Sequence, residues 1–421
     1  MMNAEDKDFL TRLFNAAVDA ADPKAAMQRF LPAKPKGKTV VIGAGKGAAQ
    51  MAAAFEELWG EPVEGVVVTR YGYAGPTQNV RVLEASHPVP DAAGLEATQA
   101  LFDAVRGLSE DDLVVALVCG GGSALLPSPP EGLTLEDEQA LNQALLMSGA
   151  PISAMNAIRK QVSRVKGGRL AKAAFPARVV SLVVSDVPGD DPAQVASGPT
   201  VPDTSDRAKA MSLIRGYGIE LPNKIRDFLD KSLEDAPSPD DPKMARNEVH
   251  VIASASISLE AAARAAEGEG IPAVILSDAI EGEASDVGLV HSALAREVRF
   301  KARPFAPPVV ILSGGETTVT IRDHGGKGGR NTEFLLAFAG AIEGHEISAL
   351  AADTDGIDGS EDNAGAFADG GSWARMRAAG LDPRSILSNH DAWTAFHTVG
   401  DIFAPGPTGT NVNDFRAILI R

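Results

Sequence analysis

Thr39-Val40-Val41-Ile42-Gly43-Ala44-Gly45-Lys46-Gly47-Ala48 is the stretch that decides how this chain reads. A short run of β-branched residues meets three glycines in five positions, and Ala48 to Leu58 then reads as a helix with Met51, Phe55 and Leu58 on one side. Strand, glycine turn and helix N-terminus together bind phosphate, because unpaired amides and the helix dipole both point at the anion. Lys46, inside the turn, adds a full positive charge where phosphate oxygens would lie. The stretch also satisfies the dinucleotide fingerprint G-x-G-x-x-G/A, as Gly43, Gly45 and Ala48. That fingerprint expects an acid roughly 20 residues on for the ribose hydroxyl. The second strand ends instead at Thr69-Arg70, and an arginine there suits a 2′-phosphate, which keeps an NADP enzyme open.

The bulk composition narrows the class. At 421 residues the chain is expected to form two domains, since single cores seldom grow beyond roughly 250–300 residues. A hydrophobic content of 44% with 23% charged residues is that of a globular protein, and 42 glycines with few aromatics suit close helix–sheet contacts. A formal charge of −17 argues against nucleic acid or an anionic membrane as partner. An anionic substrate therefore needs local positive charge. One cysteine excludes an internal disulfide and fits the cytoplasm. The N-terminal Met-Met-Asn-Ala-Glu-Asp-Lys-Asp lacks a signal-peptide pattern, and no apolar run approaches the ~20 residues a bilayer span needs. A cytoplasmic location is expected, and a homodimer is an allowed assembly.

Working outward, residues 6–30 read as an opening helix with Phe9, Leu10, Leu13, Phe14, Ala17 and Val18 on one face. Of the apolar runs at 66–68, 80–83, 113–118 and 179–184, several lack in/out alternation and suit a parallel sheet covered on both faces. A helix carrying Leu95, Leu101, Phe102 and Val105 fits between the second and third of these runs, and 135–148 and 151–174 read as further helices. Pro237, Pro239 and Pro242 mark 233–247 as a linker. Strand–helix alternation then restarts with strands at 249–253, 273–276, 309–312 and 347–352 and a helix from Asn331. The expected fold is two α/β domains: an N-terminal Rossmann-like domain with a mostly parallel sheet over residues 1–240, and a smaller C-terminal α/β domain over 241–421.

Several further loops carry chemistry. Cys119-Gly120-Gly121-Gly122-Ser123 follows the run 113–118, and three consecutive glycines are best explained by backbone approaching a ligand. Ser123 is a phosphate contact or a helix cap; G-x-S-x-G is absent, so it is not read as a nucleophile. Ser185-Asp186-Val187-Pro188-Gly189-Asp190-Asp191 closes another strand, and ligands in open parallel sheets lie beyond strand C-termini. Asp186, Asp190 and Asp191 are thus candidates for Mg²⁺ or for proton abstraction, or else turn caps. Arg159-Lys160 and Lys166-Gly167-Gly168-Arg169 are either an anion site or a solvated helix face. In the second half, Gly328-Gly329-Arg330-Asn331 opens a helix with a cation among glycines, an anion-site pattern. Asp353-Thr354-Asp355-Gly356 suits a divalent ion without full EF-hand spacing. His87, in Ser86-His87-Pro88, is the histidine nearest a candidate site, and neither a Walker A motif nor a zinc pattern is present.

The chain resembles the glycerate 2-kinases of the MOFRL type, a family often called hydroxypyruvate reductases. The likeness runs over nearly all of it, through Gly43-Ala44-Gly45-Lys46, His87-Pro88-Val89-Pro90-Asp91, Gly120-Gly121-Gly122-Ser123-Ala124-Leu125-Leu126, Arg159-Lys160, Lys166-Gly167-Gly168-Arg169-Leu170 and Ser185-Asp186-Val187-Pro188-Gly189-Asp190-Asp191. It continues in Ala196-Ser197-Gly198-Pro199-Thr200, Ser313-Gly314-Gly315-Glu316, Gly328-Gly329-Arg330-Asn331, Asp353-Thr354-Asp355-Gly356 and Gly406-Pro407-Thr408-Gly409-Thr410-Asn411. Three positions depart from the family's usual residues: Cys119 stands for Ser, Gln161 for His and Thr332 for Gln.

The resemblance implies ATP-dependent phosphorylation of D-glycerate to 2-phosphoglycerate, with the active site in a cleft between the domains. Lys46 and Arg330 would neutralise the transferring phosphoryl group, and Asp190 would act as base or steer the metal. Gly43, Gly45, Gly47, Gly120, Gly121, Gly122 and Ser123 would hold ATP; Arg159, Lys160 and His87 would face the glycerate; Asp186 and Asp191 would meet Mg²⁺. The second reading is an NAD(P)H-dependent reductase of hydroxypyruvate or tartronate semialdehyde with His87 as proton donor. The third is a sugar-phosphate sensor without a base.

Overall fold

The computed structural model describes residues 2–232, 235–321 and 325–421. The chain divides into two compact units, Pro23–Ile252 on the one hand and Met1–Asp22 with Ala253–Arg421 on the other.

The unit Pro23–Ile252 is built on β1 (Thr39–Ala44), β2 (Glu64–Arg70), β3 (Arg81–Ala85), β4 (Leu113–Val118), β5 (Arg178–Val184) and β6 (Glu248–Ala253), in the order β3-β2-β1-β4-β5-β6. β1 to β5 pair in parallel. This is the strand order of the doubly wound dinucleotide folds, whose ligand crevice opens where the order reverses, beyond the ends of β1 and β4. All six residues of β4 are buried, which explains its unbroken apolar run. The helix Ala48–Trp59 buries Met51, Phe55 and Trp59. The helix Ala92–Val105 buries Ala97, Leu101 and Val105, and its N-cap Asp91 accepts the Gly94 amide at 3.0 Å.

A helical layer between β4 and β6 has its own core of Leu141, Leu145, Ile158, Ile219, Ile225 and Leu229. The single helix expected over 151–174 is two, Ile152–Gln161 and Arg169–Ala174, because Gly167 and Gly168 take positive φ between them.

In the other unit, helix Ala4–Ala20 buries Phe9, Leu10, Leu13 and Phe14, and the Phe14 ring meets Phe403 edge-on at 5.0 Å. The expected helix over 6–30 therefore breaks before Pro23, which starts the short helix Pro23–Gln28. The strands are β7 (Ala273–Ser277), β8 (Gly282–Glu283), β9 (Val309–Gly315), β10 (Thr317–Thr318), β11 (Ile347–Asp353), β12 (Gly365–Asp369), β13 (Ile402–Phe403) and β14 (Asp414–Ile420). Six of them form a sheet in the order β13-β12-β11-β14-β9-β7, parallel at β7–β9 and antiparallel elsewhere. Its faces bury separate cores. Phe415, Ala417 and Leu419 join the cluster with Phe14, while Ile418 and Ile420 join Phe334 and Phe338.

The division at 252/253 differs from the expected boundary at 240. Residues 249–253 are not the first strand of a second domain but the edge strand of the first sheet. The proline-rich segment does not free the chain before them, because Asn247 Oδ1 accepts the Val179 amide at 3.0 Å and ties the segment to β5. Leu233 and Glu234, at the start of the expected linker, lie outside the described residues.

His291 reports on the second unit's core. It is 2% exposed, with Nδ1 at 2.8 Å from the Val287 carbonyl and Nε2 at 3.0 Å from Ser313 Oγ. Burial pushes its pKa from 6.5 to about 4. Protons thus bind the unfolded chain first, so its contribution is complete above the unfolded value and is lost as pH falls through the folded one, by about 3 kcal/mol. Urea unfolding of His291→Gln should show a correspondingly shallower loss of stability between pH 6.5 and 4 than the unsubstituted protein; equal slopes would contradict this.

Candidate functional site

The turns after β1 and β4 are bonded to each other. The Lys46 amide donates to the Gly120 carbonyl at 2.8 Å, and the Gly47 amide donates to Cys119 Sγ at 3.2 Å. Gly45 takes φ +138°, and a Cβ there would collide with Cys119. The approach is possible only for glycine. It also changes how the first turn works. The amides of Gly45, Lys46, Gly47 and Ala48 are all spent inside the protein, and Gly43 is a strand residue paired with Val67 and Leu117. The expectation that this turn offers free amides to phosphate is therefore corrected: what it presents is the Lys46 side chain. That ammonium has no hydrogen-bond or ion-pair partner among the described residues.

Free amides come from the second turn instead. Those of Gly121, Gly122 and Ser123 have no partner among the described residues. Gly121 is left-handed, and a Cβ on it would lie 3.0 Å from Lys46 Cγ and 3.2 Å from His87 Nε2. Lys46 and His87 thus converge over the same glycine. Burial, then the charges of Lys46 and Arg70, push the His87 pKa below its ordinary value, so its imidazole is neutral at pH 7. Cys119 is buried and its thiol is pushed up to about 12, so it acts as an acceptor for Gly47 and not as a thiolate.

A polar chain runs from the second turn into the helical layer. Ser123 Oγ lies 2.8 Å from Ser197 Oγ, Ser197 donates to Asn156 Oδ1 at 3.0 Å, and Arg159 donates to the same oxygen at 3.0 Å. Asn156 in turn donates to Gln194, whose amide reaches Asp191 at 3.2 Å. Sequence reasoning named the ends of this chain and missed Asn156 and Ser197. The signal available was the small-residue run at 196–200, where Ala196 and Ser197 take positive φ.

The basic run separates into two kinds of cation. Lys160 and Lys166 are buried. The first is paired with Asp203, and the second with Glu138 at 2.7 Å and the Leu126 carbonyl at 3.1 Å. Both ammonium groups are already taken by carboxylates. Arg159 is different: it donates to the neutral oxygens of Asn142 and Asn156 and has no carboxylate partner among the described residues. Burial lowers its pKa, opposed only by Glu138.

In the loop after β5, the Asp186 carboxylate lies against Gly120, leaving no space for a Cβ there. Asp190 takes φ +53° and its carboxylate has no partner among the described residues. Asp191 is a turn cap, accepting from the Ala193 amide at 3.0 Å and from Gln194. Among the described residues no group of three or more His, Cys, Asp or Glu could hold a metal ion.

In the other unit, Arg330 begins the helix Arg330–Ala341 and is held by carboxylates: Glu316 at 2.6 Å, Asp353 at 2.6 Å and Asp414 at 3.4 Å. Burial disfavours its charge, but Asp414, Asp353 and Glu316 outweigh that and raise its pKa. Burial, with Asp355 and Asp414 nearby, pushes the Asp353 carboxyl up in turn. Asp358 receives the amides of Asn331 and Thr332, both at 2.9 Å, so it occupies the helix N-terminus expected to take an anion. The glycine-rich turn is anchored from elsewhere, with the Lys327 amide on Asp391 at 2.9 Å.

At the switch point of this doubly wound sheet, a lysine side chain and the amides of the second glycine turn meet. Residues 9–230 match a domain of unknown function, DUF4147, and residues 309–414 match the MOFRL family. The chain is 39% identical to a D-glycerate 2-kinase of Thermotoga maritima, each covered over 98% of its length. It is 53% identical, over 98% of this chain and 94% of the relative, to a putative hydroxypyruvate reductase of Agrobacterium vitis. The crystal structure of glycerate kinase from T. maritima superposes with a TM-score of 0.90 at 37% identity over 100% of both chains. The chain belongs to the MOFRL-type glycerate kinase family. Among the described residues no helix is long and apolar enough to cross a membrane.

The lysine assignment is directly testable. Lys166→Met strands Glu138 in the core and should cost about 3–5 kcal/mol in urea unfolding, with the double variant Lys166→Met/Glu138→Leu recovering much of it. A single variant as stable as the parent would contradict a structural role.

Proposed function

We propose that this protein transfers the γ-phosphoryl group of ATP to the 2-hydroxyl of D-glycerate, giving 2-phosphoglycerate. The observation that carries the reading is the unpartnered Lys46 ammonium beside the free amides of Gly121, Gly122 and Ser123. Phosphoryl transfer is catalysed mainly by positioning and by neutralising charge on the equatorial oxygens, which an ammonium and a row of amides supply. The names of the Thermotoga and Pyrococcus relatives, both glycerate 2-kinases, support glycerate as acceptor and its 2-hydroxyl as the site.

Arg159 takes the glycerate carboxylate, because its guanidinium is charged, partly buried and bonded only to neutral oxygens. Asp190 accepts the proton of the attacking hydroxyl, its carboxylate being uncommitted among the described residues. A magnesium ion, if carried in with ATP, would supply charge neutralisation at the phosphates. Asp186 would be its carboxylate donor from this loop, since Asp191 is already engaged as a cap. His87, a neutral neighbour of Lys46 over Gly121, faces the glycerate. We propose Arg330, its fork held in one orientation by Glu316 and Asp353, as an anion-binding charge of its own unit.

Purified protein given D-glycerate and Mg-ATP should release ADP and 2-phosphoglycerate. Hydroxypyruvate-dependent oxidation of NAD(P)H without ADP release would favour the reductase, and tight phosphate-ester binding without turnover would favour the sensor. Lys46→Ala should lower kcat by roughly 10²–10³ with unchanged unfolding; full activity would refute its role. Arg159→Gln should raise the KM for glycerate roughly ten-fold or more with a smaller effect on the KM for ATP. A rise confined to ATP would move Arg159 to the nucleotide.

A further inference from the structure

Strand β2 ends in Arg70, and the turn after it carries Tyr71 and Tyr73. The whole chain has three tyrosines, so two in one turn at the C-terminal edge of a parallel sheet are not a matter of abundance. Neither is packed away: Tyr71 is 55% exposed and Tyr73 38%. Both are nevertheless held. Tyr71 donates its hydroxyl to Asp91 at 2.7 Å, and the Tyr73 hydroxyl accepts from the Arg70 guanidinium. That guanidinium lies over the Tyr73 ring, 3.6 Å from its centroid, and its Nε is buried without a partner among the described residues. Glu84 fixes the turn beneath them, accepting from the amides of Gly72 at 2.8 Å and Ala74 at 3.3 Å.

The place matters as much as the composition. Thr69, beside Arg70 in β2, donates its hydroxyl to the Lys46 carbonyl at 3.0 Å, and Tyr71 bonds through its amide to Ala85, two residues before His87. In sheets of this strand order, phosphates lie at the β1 turn and the nucleoside lies beyond the end of β2. An aromatic ring stacked with a guanidinium is a flat, rigid face on which a nucleobase stacks.

We infer that Arg70 and Tyr73, flanked by Tyr71, form the platform for the adenine base of the phosphoryl donor. This rests on the reading that the donor is ATP. It gives a function to the arginine that stands where a dinucleotide fold carries its ribose-binding acid. Lys46 and the glycines then read the phosphate tail, and the tyrosine turn distinguishes a nucleotide from a bare polyphosphate.

Calorimetric binding of Mg-ATP and of Mg-tripolyphosphate, which has the phosphates and no base, separates the two roles. Tyr73→Ala should weaken ATP roughly ten-fold or more and leave tripolyphosphate unchanged, while Tyr73→Phe, which keeps the ring, should retain most of the ATP affinity. Equal weakening of both ligands, or no weakening of ATP, overturns the platform. So does NADP⁺ binding more tightly than ATP with a loss in Arg70→Gln, which would make this a 2′-phosphate site. Protein that binds ATP through Tyr73 but forms no ADP with glycerate would sink the kinase reading and leave the platform standing.

Discussion

The hydrogen bond from the Lys46 amide to the Gly120 carbonyl, 2.8 Å long, is the constraint on which the site depends. It welds the turn after β1 to the turn after β4 at the one place in the sheet where the strand order reverses. Gly45 must lack a side chain for the turns to meet, and Cys119 must face inward to receive the Gly47 amide. The consequence is a division of labour. One turn gives up its amides to internal bonds and delivers a lysine; the other keeps its amides and delivers them.

On a chain of formal charge −17, cations near an anionic substrate cannot be assumed to be available. Lys160 and Lys166 are buried, each neutralised by a carboxylate, and belong to the packing of the helical layer. Arg330 is charged but shared among three carboxylates. Lys46 and Arg159, like Arg70 at the end of β2, have no carboxylate partner among the described residues. An entering anion gains most at such cations, since it replaces no existing ion pair.

Much of the fold was legible. The unalternating runs of β1, β4 and β5 gave a covered parallel sheet, and the glycine turns marked its functional edge. What the sequence hid was long-range. Residues 249–253 have the composition of any buried strand, and only pairing assigns β6 to the first sheet. The helix Ala4–Ala20 is amphipathic in sequence, but nothing in it says that its partners are Phe403 and Phe415. At the site, Lys46, Ser123 and Arg159 were readable because glycines and charges flag themselves. Asn156 and Ser197, which join Ser123 to Arg159, were not, since a buried polar side chain is recognised only by its partners. Nor could spacing tell that Lys166 points at Glu138 while Arg159 points at two asparagines.

The most direct measurement is a crystal structure with Mg²⁺ and a non-hydrolysable ATP analogue. Phosphoryl oxygens at about 3 Å from Lys46 Nζ and from the amides of Gly121 to Ser123 are the expected result. A triphosphate bound elsewhere, with Lys46 left in solvent, would contradict the assignment of this switch point as the phosphate site.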